Sequence, residues 1–405
     1  MPYLFYAMLL ISAIITWMSD LEKRTVLLNA LFNFGYSLAT SFVNVYLYVY
    51  ADSLITMSIY TMIRIGLFPF FFILGNHITR KHSFVITYTI GIILITCSLV
   101  YALMGKALFE INGNYILIAA VITGIGEGFY WYSANASNQI ISTVETRAKF
   151  LSYNGIFNNV SALLAPVIAG IIIGHSPDDM TGYRHILMLI IAVYSLVILI
   201  ALSIHKRREN TSKSVLSALS LKDKQWRDHQ VAIFFYGMKN SLSLTLNGIL
   251  VFNAAGSGGL YSRLQIMFAI ITIASFRIIT KFLDKKHIDT TFMIGVFLTV
   301  SSTVVLVLFD NIAGAIYYGV SNALALVFYD NSYAYISANI ISRYDNEMTE
   351  RIVGRETAMS LGRCVGMGFI VLLSVLLPED MYLKISVITL SLTPFIVERI
   401  LIKYK

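Results

Sequence analysis

The sequence predicts an all-α polytopic membrane protein, and three observations predict it. Of 405 residues, 57% are hydrophobic and only 13% are charged, against roughly 25% charged in an average soluble domain. Mean hydropathy is +0.73. The apolar residues come in runs of about 20, the length at which a helix rising 1.5 Å per residue crosses a ~30 Å hydrocarbon core.

Twelve such spans follow one another. The first six lie near 25–50, 54–78, 83–104, 115–142, 151–174 and 186–205. The second six lie near 231–256, 258–280, 291–309, 312–342, 352–377 and 382–402. One long polar segment, HKRRENTSKSVLSALSLKDKQWRDHQ at 205–230, divides them. This gives a leading segment 1–24, a six-helix bundle 25–205, a linker 206–230 and a second bundle 231–405.

The stretch 3–19, YLFYAMLLISAIITWMS, stands outside that count. Its length is slightly short for crossing. Ser12, Thr16 and Ser19 form a weak polar stripe that suits a helix lying in the interface, with Trp17 at the headgroups. A thirteenth span is the equal alternative. Without a basic n-region and a clear cleavage site, this stretch does not read as a removable signal.

Lys and Arg concentrate in alternate loops: Lys23/Arg24, Arg80/Lys81, Arg147/Lys149, the 205–230 segment, Lys281/Lys285/Lys286 and Arg343/Arg351. The other loops hold only Lys106, Arg184, Arg263 and Lys384, among acids such as Asp178 and Glu379. The positive-inside bias makes the first set cytoplasmic, together with the carboxyl-terminal ERILIKYK. A multi-pass protein of the cell membrane is expected, with its carboxyl terminus in the cytoplasm. The net charge of +8 therefore reports topology and not a nucleic-acid partner. Cys97 and Cys364 sit in apolar segments, so neither a disulfide framework nor a zinc site is indicated.

The two halves repeat at an offset of about 200–205 residues. LGNHITRKH (74–82) matches ITKFLDKKH (279–287), ASNQIIS (136–142) matches ISANIIS (336–342), and YSL (36–38) matches NSL (240–242). Parallel repeats of this kind form a substrate site at the midplane between halves.

Several motifs carry a resemblance to the major facilitator superfamily. Its loop between helices two and three reads G-x-x-x-D-R-x-G-R-R; Gly75 and Arg80 fit that frame, while the aspartate and second glycine are missing. In the second half the equivalents are Asp284 and Lys285. The fifth-helix pattern ending G-P-x-x-G-G is loosened to SALLAPVIAG (161–170), with Pro166 and Gly170 matching strictly. The block from Gly124 to Gly155 also resembles a branch of Firmicutes permeases whose substrates are largely uncharacterised. The resemblance covers residues 25–402 and implies two six-helix bundles that work by alternating access, with Gly75, Arg80, Asp284 and Lys285 acting in the conformational loop motif.

Charges at span centres are the sharpest functional signal, since each costs at least ~2.5–3.5 kcal/mol on insertion scales. They are Arg64, Glu127, Lys239, Asp330 and Arg363. Arg277, Arg355 and Glu356 fall nearer the cytoplasmic ends, where snorkelling explains them. The bland reading of the central five is mutual pairing that fixes helix packing, with Asp330–Arg363 the expected pair and Lys239 the alternative counterion. The functional reading makes Glu127 and Asp330, on corresponding helices, proton-coupling carboxylates. Substrate contacts are expected from Arg64, Tyr130, Trp131, Asn135, Asn158, Lys239, Asn240, Asp330 and Arg363. Aromatic rings with polar tips suit an amphipathic ligand, and the amides serve equally as interhelical glue.

No phosphate-cradling G-x-x-x-x-G-K-[ST] occurs, which argues against nucleotide hydrolysis as the energy source. The seven histidines read as loop or helix-end residues, so no metal or other cofactor is expected. No constellation of an enzyme is visible. The sequence thus predicts a monomeric secondary transporter, proton-coupled, moving a small or amphipathic organic solute through the bilayer. Export, as an antiporter, is favoured by the aromatics and the loosened fifth-helix pattern. An anionic nutrient or lipid headgroup as cargo is the alternative, as is a non-transporting receptor or assembly factor.

Overall fold

The computed structural model describes residues 19–141, 147–204, 221–279, 287–344 and 348–405. The hydrophobic stretch 3–19 therefore lies outside the described residues, apart from Ser19. Asp284 and Lys285 lie outside them as well.

The chain is all-helical. The first half comprises α1 (Asp20–Ala51), α2 (Leu54–Lys81), α3 (Phe84–Met104), α4 (Ile116–Ile140), α5 (Arg147–Gly174) and α6 (Asp179–Leu202). The second comprises α7 (Lys224–Leu244 continued by Leu246–Ala255), α8 (Gly258–Ile279), α9 (Ile288–Leu308), α10 (Ile312–Ser342), α11 (Met348–Leu376) and α12 (Glu379–Ser391 continued by Thr393–Leu401). Among the described residues, ten helices are long and apolar enough to cross a membrane; α7 and α8 are the two that fall short. Polar side chains explain the shortfall of α7, which begins inside the segment read as linker and buries His229, Gln230, Lys239 and Asn247.

Local chemistry sets the ends. Ser19 opens α1 with a capping box, taking the Glu22 amide while the Glu22 carboxylate accepts from the Ser19 amide. Asp52 closes it at φ 45°, a left-handed conformation that a short polar side chain tolerates. Ser53, Ser83, Asp178, Asp223 and Asn311 cap α2, α3, α6, α7 and α10. Outside the spans, the Asp178 carboxyl is held below the usual carboxylate range by hydrogen bonds from the Thr181 hydroxyl and amide.

The helix pairings repeat. In the first half α1 packs on α5 and α6, α2 on α4, α3 on α4 and α6, and α5 on α6. In the second half α7 packs on α11 and α12, α8 on α10, α9 on α10 and α12, and α11 on α12. Contacts between the halves follow the same two-fold, through α2–α11 and α5–α8. The closest crossings match too: a Cβ on Gly91 would sit 2.6 Å from the Tyr130 amide nitrogen, and one on Gly295 would meet the backbone of Tyr329. The repeat in the sequence is a repeat in the fold.

Each half has one face bearing the ends joined by the central linker (the linker face) and one opposite, distal face. Polar stitches hold the halves together on the distal side. Asn44 Nδ2 donates to the Leu244 carbonyl at 2.9 Å, the Tyr261 hydroxyl to the Ser41 carbonyl at 2.9 Å, and Asn253 Nδ2 to the Tyr48 hydroxyl at 3.1 Å. The Thr61 and Thr245 hydroxyls meet at 2.5 Å where α7 breaks. Towards the linker face, Val353 of α11 packs among Phe68, Phe72, Tyr132 and Ala136.

Candidate functional site

Between the halves, from the middle of the bundle towards the linker face, lies a cavity of about 470 Å³. α1, α2 and α4 supply one wall, and α7, α10 and α11 the other. Each wall carries an aromatic pair. Tyr36 and Trp131 meet edge to face with centroids 5.5 Å apart, and Tyr236 and Tyr333 stack at 4.0 Å.

Charge at the first wall is internally balanced. Arg64 and Glu127 are 6% and 5% exposed, and the guanidinium reaches both carboxylate oxygens, Nε at 2.8 Å and Nη2 at 2.5 Å. A bidentate geometry of this kind is the strong form of an ion pair. Helix spacing makes it possible, because Gly124 lets α4 lie directly against the Arg64 backbone. The Arg64 Nη2 also faces the Tyr36 hydroxyl at 3.4 Å.

The second wall is arranged differently. Arg355 donates to the neighbouring Glu356, with Nη2 at 2.6 Å, and both line the cavity. Their expected place at a helix end, snorkelling out, is thereby corrected. Arg363 Nε donates to Asn240 Oδ1 at 2.8 Å. Asp330 accepts a hydrogen bond from the Tyr236 hydroxyl at 3.1 Å. The expected Asp330–Arg363 pair is not formed, because α11 turns Arg363 towards α7 and not towards α10. Lys239 is the cation whose charge reaches Asp330; its Nζ lies 5.5 Å from the Tyr329 ring centroid.

Of the residues singled out in the sequence, the cavity brings together Arg64, Glu127, Trp131, Asn135, Asn240 and Arg363. Asn135 spends one amide hydrogen on the Trp131 carbonyl. Tyr130 lies elsewhere, fully buried and stacked on Phe32 inside the first bundle. Asn158 of α5 is half-buried, away from this cavity, and its Oδ1 has no hydrogen-bond partner. Lys239 and Asp330 stand one layer behind the second wall, with Tyr236 between Asp330 and the cavity. Gly75 is packed under the Tyr132 ring, and Arg80 lies in the last turn of α2.

Tyr333, one of the aromatics with polar tips, lines the cavity as expected, whereas Tyr36, Tyr236, Arg355 and Glu356 were missed as lining residues. Pairing YSL with NSL in the repeat touched the right turn of α1 and α7, but nothing in an all-round apolar pattern marks the inward face. His229 is a further correction: it is buried within α7, its Nε2 2.9 Å from the Ser337 hydroxyl. Among the described residues no group of His, Cys, Asp or Glu could hold a metal ion.

The profile of the Major Facilitator Superfamily matches residues 54–372. The uncharacterised protein YqgE of Bacillus subtilis (strain 168) is 23% identical over 92% of this chain and 88% of its own length. Among solved structures, the nucleoside transporter NupG superposes with a TM-score of 0.68 at 12% identity, covering 95% of this chain and 99% of that one. A bacterial homologue of the human lysosomal transporter Spinster gives 0.67 at 14% identity, over 95% and 98%. A POT family transporter in complex with 5-aminolevulinic acid gives 0.69 at 12% identity, over 95% and 96%. At such identities the likeness is one of fold.

Proposed function

The chain belongs to the Major Facilitator Superfamily, a fold of membrane transporters and not of catalytic domains, and from that premise we propose that it is a proton-coupled carrier of a small organic solute. The observation that carries this reading is Asp330. It is a carboxylate inside a membrane bundle, held by the Tyr236 hydroxyl instead of an arginine, and that tyrosine faces the inter-half cavity. A single hydroxyl thus separates a titratable acid from the solute's compartment. Lys239 supplies the compensating charge at a distance. Solute arriving against Tyr236 would disturb that hydrogen bond and tie proton loading to occupancy.

Glu127 serves the same cycle in a second way. Its oxygens are engaged by Arg64, so it becomes available only when the pair opens as the halves rock. Residues 25–205 and 231–405 are the two moving bodies in this proposal, with 206–230 as the link. The positive-inside bias supports a cytoplasmic linker face. The distal stitches then hold the halves together on the outer side, and Val353 packs between them towards the cytoplasm. Export remains the favoured direction because aromatic walls suit an amphipathic cargo presented from the cytoplasm.

The test uses proteoliposomes and a solute found by thermal-stability screening at two pH values. Asp330→Asn keeps solute exchange at zero gradient and loses accumulation driven by a pH gradient. Unchanged accumulation in Asp330→Asn would sink the proton role. Topology is checked by labelling: a cysteine replacing Asp178 reacts from outside, and one placed within 206–213 reacts from inside.

A further inference from the structure

The lining charges of the cavity do not cancel. Arg64 is matched by Glu127 and Arg355 by Glu356. Arg363 is half-buried, lines the same space, and among the described residues has no carboxylate within ion-pair distance. Among the described residues its one hydrogen bond is to a neutral amide, the Asn240 side chain, which occupies Nε and leaves the two terminal nitrogens of the guanidinium without a partner. A cation left unmatched at this depth is expensive unless something else compensates it. Guanidinium nitrogens held in a fixed plane are suited to a carboxylate or phosphate.

The same space is lined by the two aromatic pairs, Tyr36/Trp131 on one wall and Tyr236/Tyr333 on the other. Sites of this composition take a ligand whose apolar body fills the space while a few polar groups fix its orientation. We propose that the solute is an organic anion with a flat, apolar body, its anionic group on Arg363 beside Asn240 and its body between the aromatic walls. This rests on the reading of the cavity as the transport site. It deepens that reading by giving the cargo a charge and a shape.

Binding is measured on the purified full-length protein with no gradient, so the outcome is independent of proton coupling. Three probes share one body: 3-phenylpropionate, 3-phenylpropanamide and 3-phenylpropylammonium. The carboxylate raises the melting temperature by about 2 °C at saturation, and the amide and ammonium do not. Arg363→Gln abolishes that shift and Arg363→Lys keeps part of it. Independently, the part of tryptophan quenching that Trp131→Phe removes reports ions inside the cavity. Iodide quenching of that part falls about threefold in Arg363→Gln, while quenching by neutral acrylamide is unchanged, which shows the fold is intact.

Equal iodide quenching in wild type and Arg363→Gln overturns the anion site. Stabilisation by the amide equal to that by the carboxylate overturns it too. No shift with the carboxylate overturns the flat-body assignment even where iodide is drawn to Arg363. Dihexanoylphosphatidate offers an anionic head on two acyl chains. Stabilisation by it alone moves the site to a lipid and likewise overturns the flat-body assignment. None of these failures touches the Asp330 role, which is read by gradient-driven accumulation.

Discussion

The centres of the two bundles invite comparison, because Glu127 on α4 and Asp330 on α10 stand on corresponding helices of the repeat, about one turn apart in register. Both helices take part in a close glycine crossing, at Gly91 and Gly295, but Asp330 ends a π-helical turn whereas Glu127 sits in a regular α-helix. The side chains differ further. Glu127 has a bidentate arginine from α2. The corresponding stretch of α8, Leu264 to Ala269, carries no charge, and Asp330 takes a hydroxyl from α7 instead. Each half carries one acid on this helix, and the neighbouring helices decide whether it is locked in a pair or left to exchange partners. The first bundle reads as the anchored half and the second as the responsive one.

Breaking the locked pair gives the largest effect. Glu127→Ala strands Arg64 in a site that is 6% exposed, at a cost of about 3–5 kcal/mol. Folded yield falls sharply, and the double replacement Arg64→Met/Glu127→Leu recovers most of it. Should the two single losses simply add, the pair is not a unit and the comparison fails on its first side.

The paired glycine crossings are challenged next. Gly91→Val and Gly295→Val each press a branched side chain into a facing helix backbone. Overpacking of that kind costs about 1–3 kcal/mol. Matched losses in melting temperature are expected from the two variants; a loss in only one would mean that the crossings are alike in shape but not in tightness.

Smaller again is Asp330→Asn. The amide keeps an acceptor for the Tyr236 hydroxyl, while the buried Lys239 loses its distant counter-charge, so stability falls by about 1–2 kcal/mol. A loss as large as that of Glu127→Ala, measured by the same thermal scan, would show that Asp330 is also locked.

Much of this was legible beforehand. Run length gave the spans, because the bilayer imposes it on composition directly. The repeat emerged from LGNHITRKH and ITKFLDKKH. What stayed hidden was helix rotation. In a helix apolar all round, the pattern does not say that Arg363 turns to Asn240 while Asp330 turns to Tyr236. Local irregularity adds to this: π-helical turns at Ala39–Val43 and Leu326–Asp330 reset the angle of every residue that follows. Asp330 is the last residue of one such turn. Arg355 and Glu356 were misplaced for a related reason, since distance from a helix end says nothing of whether that end borders a cavity or lipid.

The smallest expected effect concerns how the responsive bundle begins. Asp223 caps α7 by accepting the Trp226 amide at 2.8 Å, and that hydrogen bond above all holds its carboxyl below the usual carboxylate range. A depressed folded-state value means the cap's contribution is full above the unfolded value and is lost as pH falls through the folded one. The protection factor of the Trp226 amide, its exchange rate set against the intrinsic rate at the same pH, should therefore fall on acidification through and below the ordinary aspartate range. The change is local and modest, a cap being worth about 1 kcal/mol. Asp223→Asn keeps the cap and removes the pH dependence, whereas Asp223→Ala removes both. If wild type and Asp223→Asn respond alike to acid, the opening turn of α7 is governed by something other than this carboxylate, such as the Arg351 guanidinium that lies over Trp226. The second bundle's readiness to respond would then begin at α11 and not at α7.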